Sequence, residues 1–550
     1  MDRELLRQGL GGALRNPMIR FALAQLNPWS GHCDANSDRI EQAIHTAHQQ
    51  GADWIVFSEL VVTGYPIYDA VWSLKPAVDA AVTRLLSLSH QFPALHMVVG
   101  LPVYQESGSI ANAAVVIVNG QIQHGYAKHR LPNHDIFFES RYFQPGGGPT
   151  IIEDRGARIG ITICEDAWGG ASVEPIASYA SVDILLNLSA SPYGVHKQAQ
   201  RLQQFGAVAQ ACQATVIMVN QVGGCDGTVF DGGSFCLDKT GQVVHQLPHF
   251  EPALSVYTWD PASPSEAVGT DVDPMAGIHA ALVLGIREYV KKSGLDRIIV
   301  AVSGGIDSAV VAALAVDAVG PEHVHGLALP GPFSSEGSIA DAVALADNLG
   351  ISLDIQPITD LVDTLLQQTQ AVSWFANPNS VVEENVQARI RGVLTMAYAN
   401  QQPGALVLAT GNKSELAVGY CTAYGDMCGG LAPIGDLYKT QVYALAQYMN
   451  RATSRIPEST RTKPPSAELK PNQVDQDTLP EYAVLDAILM GYIESGQSAD
   501  QLVHAGYDAD TVLAVIRMVT QSEYKRHQAA PVIKVSARAF DWGWRQVMAS

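Results

Sequence analysis

Residues 19–26, 54–57, 96–104, 113–118, 158–164, 183–188, 215–219 and 234–237 alternate apolar and polar positions or run continuously apolar, and both patterns predict strands. Between them, residues 36–50, 70–89 and 196–212 repeat apolar side chains at helical spacing. Asn119-Gly120 and Lys239-Thr240-Gly241 interrupt apolar alternations, so each predicts a hairpin turn. The first half therefore predicts packed α/β layers. The grammar changes after residue 274. From there helix, strand and helix repeat through 278–292, 298–302, 308–319, 324–329, 339–349 and 353–358. That order predicts a doubly wound parallel sheet, which takes ligands at the C-terminal ends of its strands. Few apolar residues and the prolines Pro261, Pro264 and Pro274 mark a linker. The expected division is 18–250, a linker over 251–274, and 275–550.

Composition agrees with more than one core, since single cores rarely exceed about 250–300 residues and the chain has 550. It is 47% hydrophobic and 16% charged, as a globular protein is. A net charge of −20 argues against a nucleic-acid binder, which needs a basic face. No apolar run reaches the roughly 18 residues of a membrane helix. Residues 1–17 lack the apolar core of a signal peptide and read as an extension or an upstream start before Met18. The seven cysteines form no CxxC pair, and Cys421 and Cys428 lack metal-ligand spacing. The expectation is a cytoplasmic protein acting on small molecules, with neither nucleic acid nor membrane as partner.

Residues 297–308, RIIVAVSGGIDS, carry the sharpest chemistry. A buried strand ends in Ser303, Gly304 and Gly305, and an apolar helix follows through Ile306, Asp307 and Ser308. Glycines there present N–H groups to an anion, and the helix N-terminus adds partial positive charge. No lysine follows the glycines, so this is not the kinase-type phosphate loop. Downstream, a strand at 405–409 runs into Thr410 and then Glu415. Asp307 and Glu415 suit Mg²⁺, which takes a couple of carboxylates plus phosphate oxygens. Thr422, Asp426 and Lys439 can address a second substrate, as can Asn385 and Arg389 on the helix at 381–400. The proline-bounded 462–469, TKPPSAEL, predicts a mobile loop whose Lys463 and Ser466 close over the site.

In the first half, Glu59, Lys128 and Cys164 each stand at or just after a predicted strand end. Taken singly, such a cysteine is usually an inert core residue and the other two surface charges. Together they can hydrolyse an amide. A thiolate attacks carbon better than a hydroxyl does, a carboxylate moves the proton, and an ammonium meets the developing oxyanion. Glu139 is a candidate second carboxylate that orients the lysine or the attacking water.

The segments FSELVVTGYP, YAKHRLPNHDIFFESRYFQPG and GITICEDAW resemble the nitrilase superfamily, whose Glu-Lys-Cys triad hydrolyses amides. This resemblance covers roughly 18–250 and implies an α-β-β-α sandwich. It makes His134, Glu165, Trp168, Ser189, Ser191 and Lys197 candidates for the substrate pocket. SGGIDS resembles the pyrophosphate loop of ATP-pyrophosphatases. With ATGNKSELAVGYCTAYGDM and KPPSAELKPNQVDQDTLPEYAVLD it looks like the synthetase unit of the NAD⁺ synthetase family, over about 275–550. The fusion is similar to that family's glutamine-dependent form. The resemblance implies ATP on Ser303–Ser308 and Thr410, Mg²⁺ as cofactor, and glutamine and deamido-NAD⁺ as co-substrates. It implies a homo-oligomer as well, the octamer among its forms, and an ammonia passage between the sites. The tail departs from the family, with FDWGWR where further basic residues are more usual. Three other readings stay open: another glutamine amidotransferase with this ATP loop, an amide or nitrile hydrolase that only senses nucleotide, and a non-catalytic adenine-nucleotide-binding protein.

Overall fold

The computed structural model describes residues 18–169, 174–262, 273–370, 380–540 and 543–548. The expectation for residues 1–17 lies outside them, as do residues 263–272 of the expected linker.

The first unit is two six-stranded sheets packed face to face. One holds β1 (Ile19–Gln25), β2 (Trp54–Phe57), β3 (His96–Tyr104), β4 (Ile110–Val118), β5 (Gln121–Ala127) and β14 (Ala253–Trp259), in the order β14-β1-β2-β3-β4-β5. The other holds β6 (Thr150–Asp154), β7 (Ala157–Ile163), β8 (Ile184–Ser189), β9 (Thr215–Asn220), β12 (Phe235–Leu237) and β13 (Val243–Gln246), in the order β13-β12-β9-β8-β7-β6. The period of two sorts the side chains. Phe21, Leu23, Trp54 and Val56 meet Ile159, Ile161, Leu186 and Val219 between the sheets. The alternate Ala22, Ala24, Ile55 and Phe57 pack outward with the helices Cys33–Gln49 and Lys75–Gln91. On the far side, Leu185, Val216 and Met218 pack with the helix Lys197–Cys212. This is the expected α-β-β-α sandwich. Asn119 and Gly120 turn β4 into β5 with positive φ, 46° and 74°.

Strand β14 corrects the expected linker. Residues 253–259 pair antiparallel with β1, from Ala253 opposite Gln25 to Trp259 opposite Ile19. The flanking prolines suggested a connection, yet Leu254, Val256 and Tyr257 contribute to the cores on either side of the sheet.

The second unit is a four-stranded, all-parallel sheet of β15 (Arg297–Ala301), β16 (Val324–Ala328), β17 (Ser352–Ile355) and β18 (Ala405–Leu408), in the order β17-β16-β15-β18. Helices Pro274–Lys292, Ile306–Val319, Glu336–Leu349 and Lys439–Met449 flank it. Its core does not stop at the unit's edge. A hairpin of the first unit, β10 (Val222–Cys225) with β11 (Thr228–Asp231), lays Val222 and Val229 into one cluster with Ile278, Leu282 and Ile286. Lys292 Nζ donates to Asn27 Oδ1 at 2.9 Å and Gly224 O at 2.7 Å, and Asn27 Nδ2 donates to Glu288 Oε2 at 2.7 Å.

Candidate functional site

Strands β2, β5 and β7 end where chemistry begins. Glu59 lies two residues beyond β2, Lys128 directly follows β5, and Cys164 directly follows β7. Lys128 Nζ donates to Glu59 Oε1 and to Glu139 Oε1, both at 2.7 Å, with all three side chains buried. Asn112 Nδ2 and the Ala190 amide also donate to Glu59, at 2.7 and 3.1 Å, and Tyr65 donates to Glu139 at 2.8 Å. Glu139 Oε2 is buried without a hydrogen-bond partner among the described residues. It remains an acceptor for a group that enters.

Two carboxylates around one ammonium leave the pocket net negative. Burial pushes the Glu139 carboxyl up to about 7, although Lys128 opposes that. Burial works against the Lys128 charge too, but Glu139 and Glu59 outweigh it and hold the ammonium well above its ordinary range. Burial, with Glu59, pushes the Cys164 thiol well up, so the resting sulfur keeps its proton. Cys164 has φ +41° and opens a short turn, Cys164–Ala167. A non-glycine residue there is strained and held by its surroundings. Asp166 Oδ2 anchors the turn, accepting from the Ile163 amide at 3.1 Å and from Tyr126 Oη at 2.8 Å.

Beside the thiol stand opposite charges. Burial raises the Glu165 carboxyl, while His134, Lys128, Arg130 and Lys197 pull it down. Lys197 lies over the Trp168 ring, 4.1 Å from its centroid, and burial lowers its pKa. The structure thus brings His134, Glu165, Trp168 and Lys197 together. Ser189 and Ser191 are buried, and each hydroxyl already holds one hydrogen bond within the protein. Ser189 Oγ donates to Asn187 Oδ1 at 2.7 Å, and Ser191 Oγ accepts from Arg201 Nε at 3.1 Å, so both hydroxyls tie the wall together.

In the second unit, a cavity of about 510 Å³ opens at the C-terminal ends of β15, β16 and β18. Ser303, Gly305, Ile306, Asp307, Ser308 and Thr410 line it, as expected of an ATP loop. Ser303 Oγ accepts from the Gly305 amide at 3.2 Å, and Ser308 Oγ accepts from the Ser303 amide at 3.2 Å. Gly304 stands behind them with φ +77°, and a Cβ there would lie 2.1 Å from Ser338 O. Only glycine fits.

Asn385, Thr422, Asp426, Lys439, Lys463 and Ser466 also line the cavity; Arg389 does not. Its Nε donates to Ala423 O at 3.3 Å instead. Arg391 takes the lining position, with Glu384, Ala388 and Thr395 along the same face. That stripe follows steps of three and four along the helix, but Arg389 also stands four residues from Asn385, so the period alone does not separate it from Arg391. The 463–469 loop lies against the helix Glu336–Leu349. Lys463 Nζ meets Asp341 Oδ2 at 2.9 Å, and Glu468 accepts from Ser335 and Ser338 hydroxyls at 2.8 and 2.7 Å.

Asp307 and Glu415 sit either side of the Lys439 ammonium, at 2.5 and 3.2 Å. Lys439 therefore neutralises the carboxylates expected to hold metal, rather than standing free for the second substrate. Asn412 was missed from the sequence. It caps the helix Lys413–Val418 through a capping box with Glu415, and its Nδ2 donates to Asp307 Oδ1 at 2.9 Å. The Asn-x-x-Glu spacing is that motif's visible signal. Burial raises the Glu415 carboxyl to about 8; Lys439 opposes the rise, and the nearby Asp307 and Asp475 charges add to it. Crowded oxygen donors of this kind fit a hard divalent cation beside phosphates.

Comparison with known proteins agrees with the two units. A family model described as carbon-nitrogen hydrolase matches residues 20–267, and one described as NAD synthase matches 278–529. The glutamine-dependent NAD(+) synthetase of Synechocystis sp. is 42% identical over 555 residues, spanning 97% of this chain and 99% of that one. Its counterpart from Acinetobacter baylyi is 40% identical over 532 residues, spanning 95% and 96%. A solved structure of glutamine-dependent NAD+ synthetase from Acinetobacter baumannii, in complex with adenosine diphosphate, superposes with a TM-score of 0.78 at 37% identity, covering 97% of this chain and 98% of that one. The chain belongs to the glutamine-dependent NAD⁺ synthetases.

Proposed function

We propose that the chain converts deamido-NAD⁺ to NAD⁺ with ATP, drawing the nitrogen from glutamine. The unit through Trp259 releases ammonia, and the unit from Pro274 consumes it. Glu59 takes the Cys164 proton as sulfur attacks the side-chain amide carbon. Lys128 faces the oxyanion, and the proton returns to the leaving ammonia. Water activated at Glu59 then resolves the γ-glutamyl thioester to glutamate. Glu165 and Lys197 suit the α-ammonium and α-carboxylate of free glutamine. In the other unit, the nicotinate carboxylate attacks the α-phosphorus of ATP and pyrophosphate departs onto Ser303–Ser308. Ammonia then attacks the acyl carbon, AMP leaves, and a proton is lost. Asp307 and Glu415 are the groups for Mg²⁺, which when bound would neutralise phosphate charge as Lys439 gives way.

The observation that carries this reading is the buried Glu59–Lys128–Glu139 group beside Cys164, in the same chain as a phosphate-shaped loop. Free ammonia is protonated and lost in water, so we extend the proposal to a closed passage between the sites and to a homo-oligomer. Seven free cysteines suit a reducing, cytoplasmic setting. Among the described residues, no helix is long and apolar enough to cross a membrane.

The test supplies amide-¹⁵N glutamine, ATP, Mg²⁺ and deamido-NAD⁺. Labelled NAD⁺ with equimolar AMP and glutamate is expected. Glutamate without AMP or labelled NAD⁺ would leave the nucleotide-sensing hydrolase in its place. An external ammonia scavenger that stops glutamine-driven synthesis would remove the passage.

A further inference from the structure

The second unit lends the glutaminase pocket a piece of its own chain. Residues 531–536, PVIKVS, are anchored in the synthetase unit. The Ala432 amide donates to Pro531 O at 2.8 Å, and Asp436 Oδ2 accepts from the Val535 and Ser536 amides at 2.8 and 2.7 Å. Asp436 is fully buried, and its Oδ1 meets the equally buried Lys413 ammonium at 2.9 Å. Lys413 directly follows Asn412, the residue bonded to Asp307.

The same segment grips the first unit. The Lys534 amide donates to Gly227 O at 2.8 Å, and the Val195 amide donates to Val535 O at 2.9 Å, two residues before Lys197. The Lys534 side chain, only 9% exposed, reaches Asp135 Oδ2 at 3.2 Å and donates to Ser536 O at 2.8 Å. Asp135 directly follows His134, holds φ +55°, and has a buried Oδ1 without a hydrogen-bond partner among the described residues. A residue in left-handed backbone with a half-satisfied carboxylate depends on outside support. Lys534 supplies it.

We propose that Lys534 is a positioning residue for glutamine hydrolysis: through Asp135 it sets the loop that carries His134, while the adjoining Val535 carbonyl sets the turn that carries Lys197. This rests on the reading that the Cys164 pocket takes glutamine. Lys534 touches no reacting atom. Its effect is on how well the pocket is formed before the substrate's charged ends arrive. The glutaminase is completed by a segment fixed within hydrogen-bonding steps of the ATP loop.

The test uses the full chain with Lys534→Met, Asp135→Asn, both together, and Lys534→Arg. It reads kcat and KM for glutamate release, NAD⁺ formation from glutamine and from ammonium chloride, and Tm. Lys534→Met is expected to raise glutamine KM about tenfold or more, with kcat and ammonium-driven synthesis within about twofold. Lys534→Arg is expected to recover most of the loss. The double variant is expected to be no worse than Lys534→Met, since both changes break one contact. An unchanged KM, effects that multiply in the double variant, or an equal fall in ammonium-driven synthesis overturns the proposal. Should Lys534→Met fail to fold, Asp135→Asn decides alone by the same KM criterion. An unmutated protein that makes NAD⁺ from ammonium but not from glutamine would instead sink the glutamine reading itself.

Discussion

Cys164 keeps its proton at rest because burial and the Glu59 charge both disfavour the thiolate. The nucleophile is therefore made when substrate covers it, with Glu59 as the acceptor rather than bulk water. Cys164→Ala should lower glutamine-driven NAD⁺ formation by about a thousandfold or more. Synthesis from ammonium should stay near its original rate, as paired steady-state assays would show. Glu139 gives a pH signature. Its carboxyl, raised by burial to about 7 despite Lys128, is protonated below that value. Orientation of Lys128 needs the anion, so glutamine kcat/KM should climb as pH rises through about 7. Glu139→Gln should remove that limb and leave ammonium-driven synthesis without it. A limb that persists in Glu139→Gln assigns the titration elsewhere.

Elements explain what could be read from the sequence. Glu59 and Cys164 were legible because each follows a strand whose apolar run stops abruptly, and Lys128 because it follows the hairpin strand ending Gly125-Tyr126-Ala127. Gly304 and Gly305 were legible because a strand, two glycines and a helix leave the backbone few options. What was not legible depends on partners distant in sequence. Strand β14 looked like linker until β1 supplied its edge. The partners of the Ser189 and Ser191 hydroxyls, Asn187 and Arg201, were not legible either. Lys439 looked free until Asp307 and Glu415 closed on it. Gly304→Ala would push a Cβ onto Ser338 O, so it should abolish AMP formation from either nitrogen source in a pyrophosphate-release assay. The buried Arg201–Asp231 pair joins the helix Lys197–Cys212 to β11 at 2.7 Å. Burial pushes Asp231 up, but Arg201 and His249 outweigh it and hold the carboxyl at about 2, from an ordinary 3.8. A depressed carboxyl stabilises the fold above its ordinary pKa. That contribution is lost as pH falls from about 4 towards 2. Arg201→Met should cost about 3–5 kcal/mol in a denaturant titration at neutral pH, since it strands a buried charge. A cost under about 1 kcal/mol would show that the pair is dispensable.

At the scale of the whole molecule, the two units share an interior. Val222 and Val229 of the hairpin lie in one apolar cluster with Ile278, Leu282 and Ile286 of the synthetase helix, and Ile533 packs there too. Gly285 has no room for more, since a Cβ on it would come within 2.9 Å of the Ile533 side chain. Calorimetry of the intact chain should therefore give a single unfolding transition, and two resolved transitions would contradict the common core. Produced separately, residues 18–262 and 273–550 should each aggregate or bind a hydrophobic dye, because each would face water with the apolar residues it brings to that cluster, Tyr193, Val222 and Val229 on one side and Ile278, Leu282, Ile286 and Ile533 on the other. The arrangement also bears on descent. A hydrolase and a ligase joined only by a tether could be swapped like beads. Here any replacement half must bring a matching apolar face for its neighbour, so the two catalysts are bound to diversify as one inheritance.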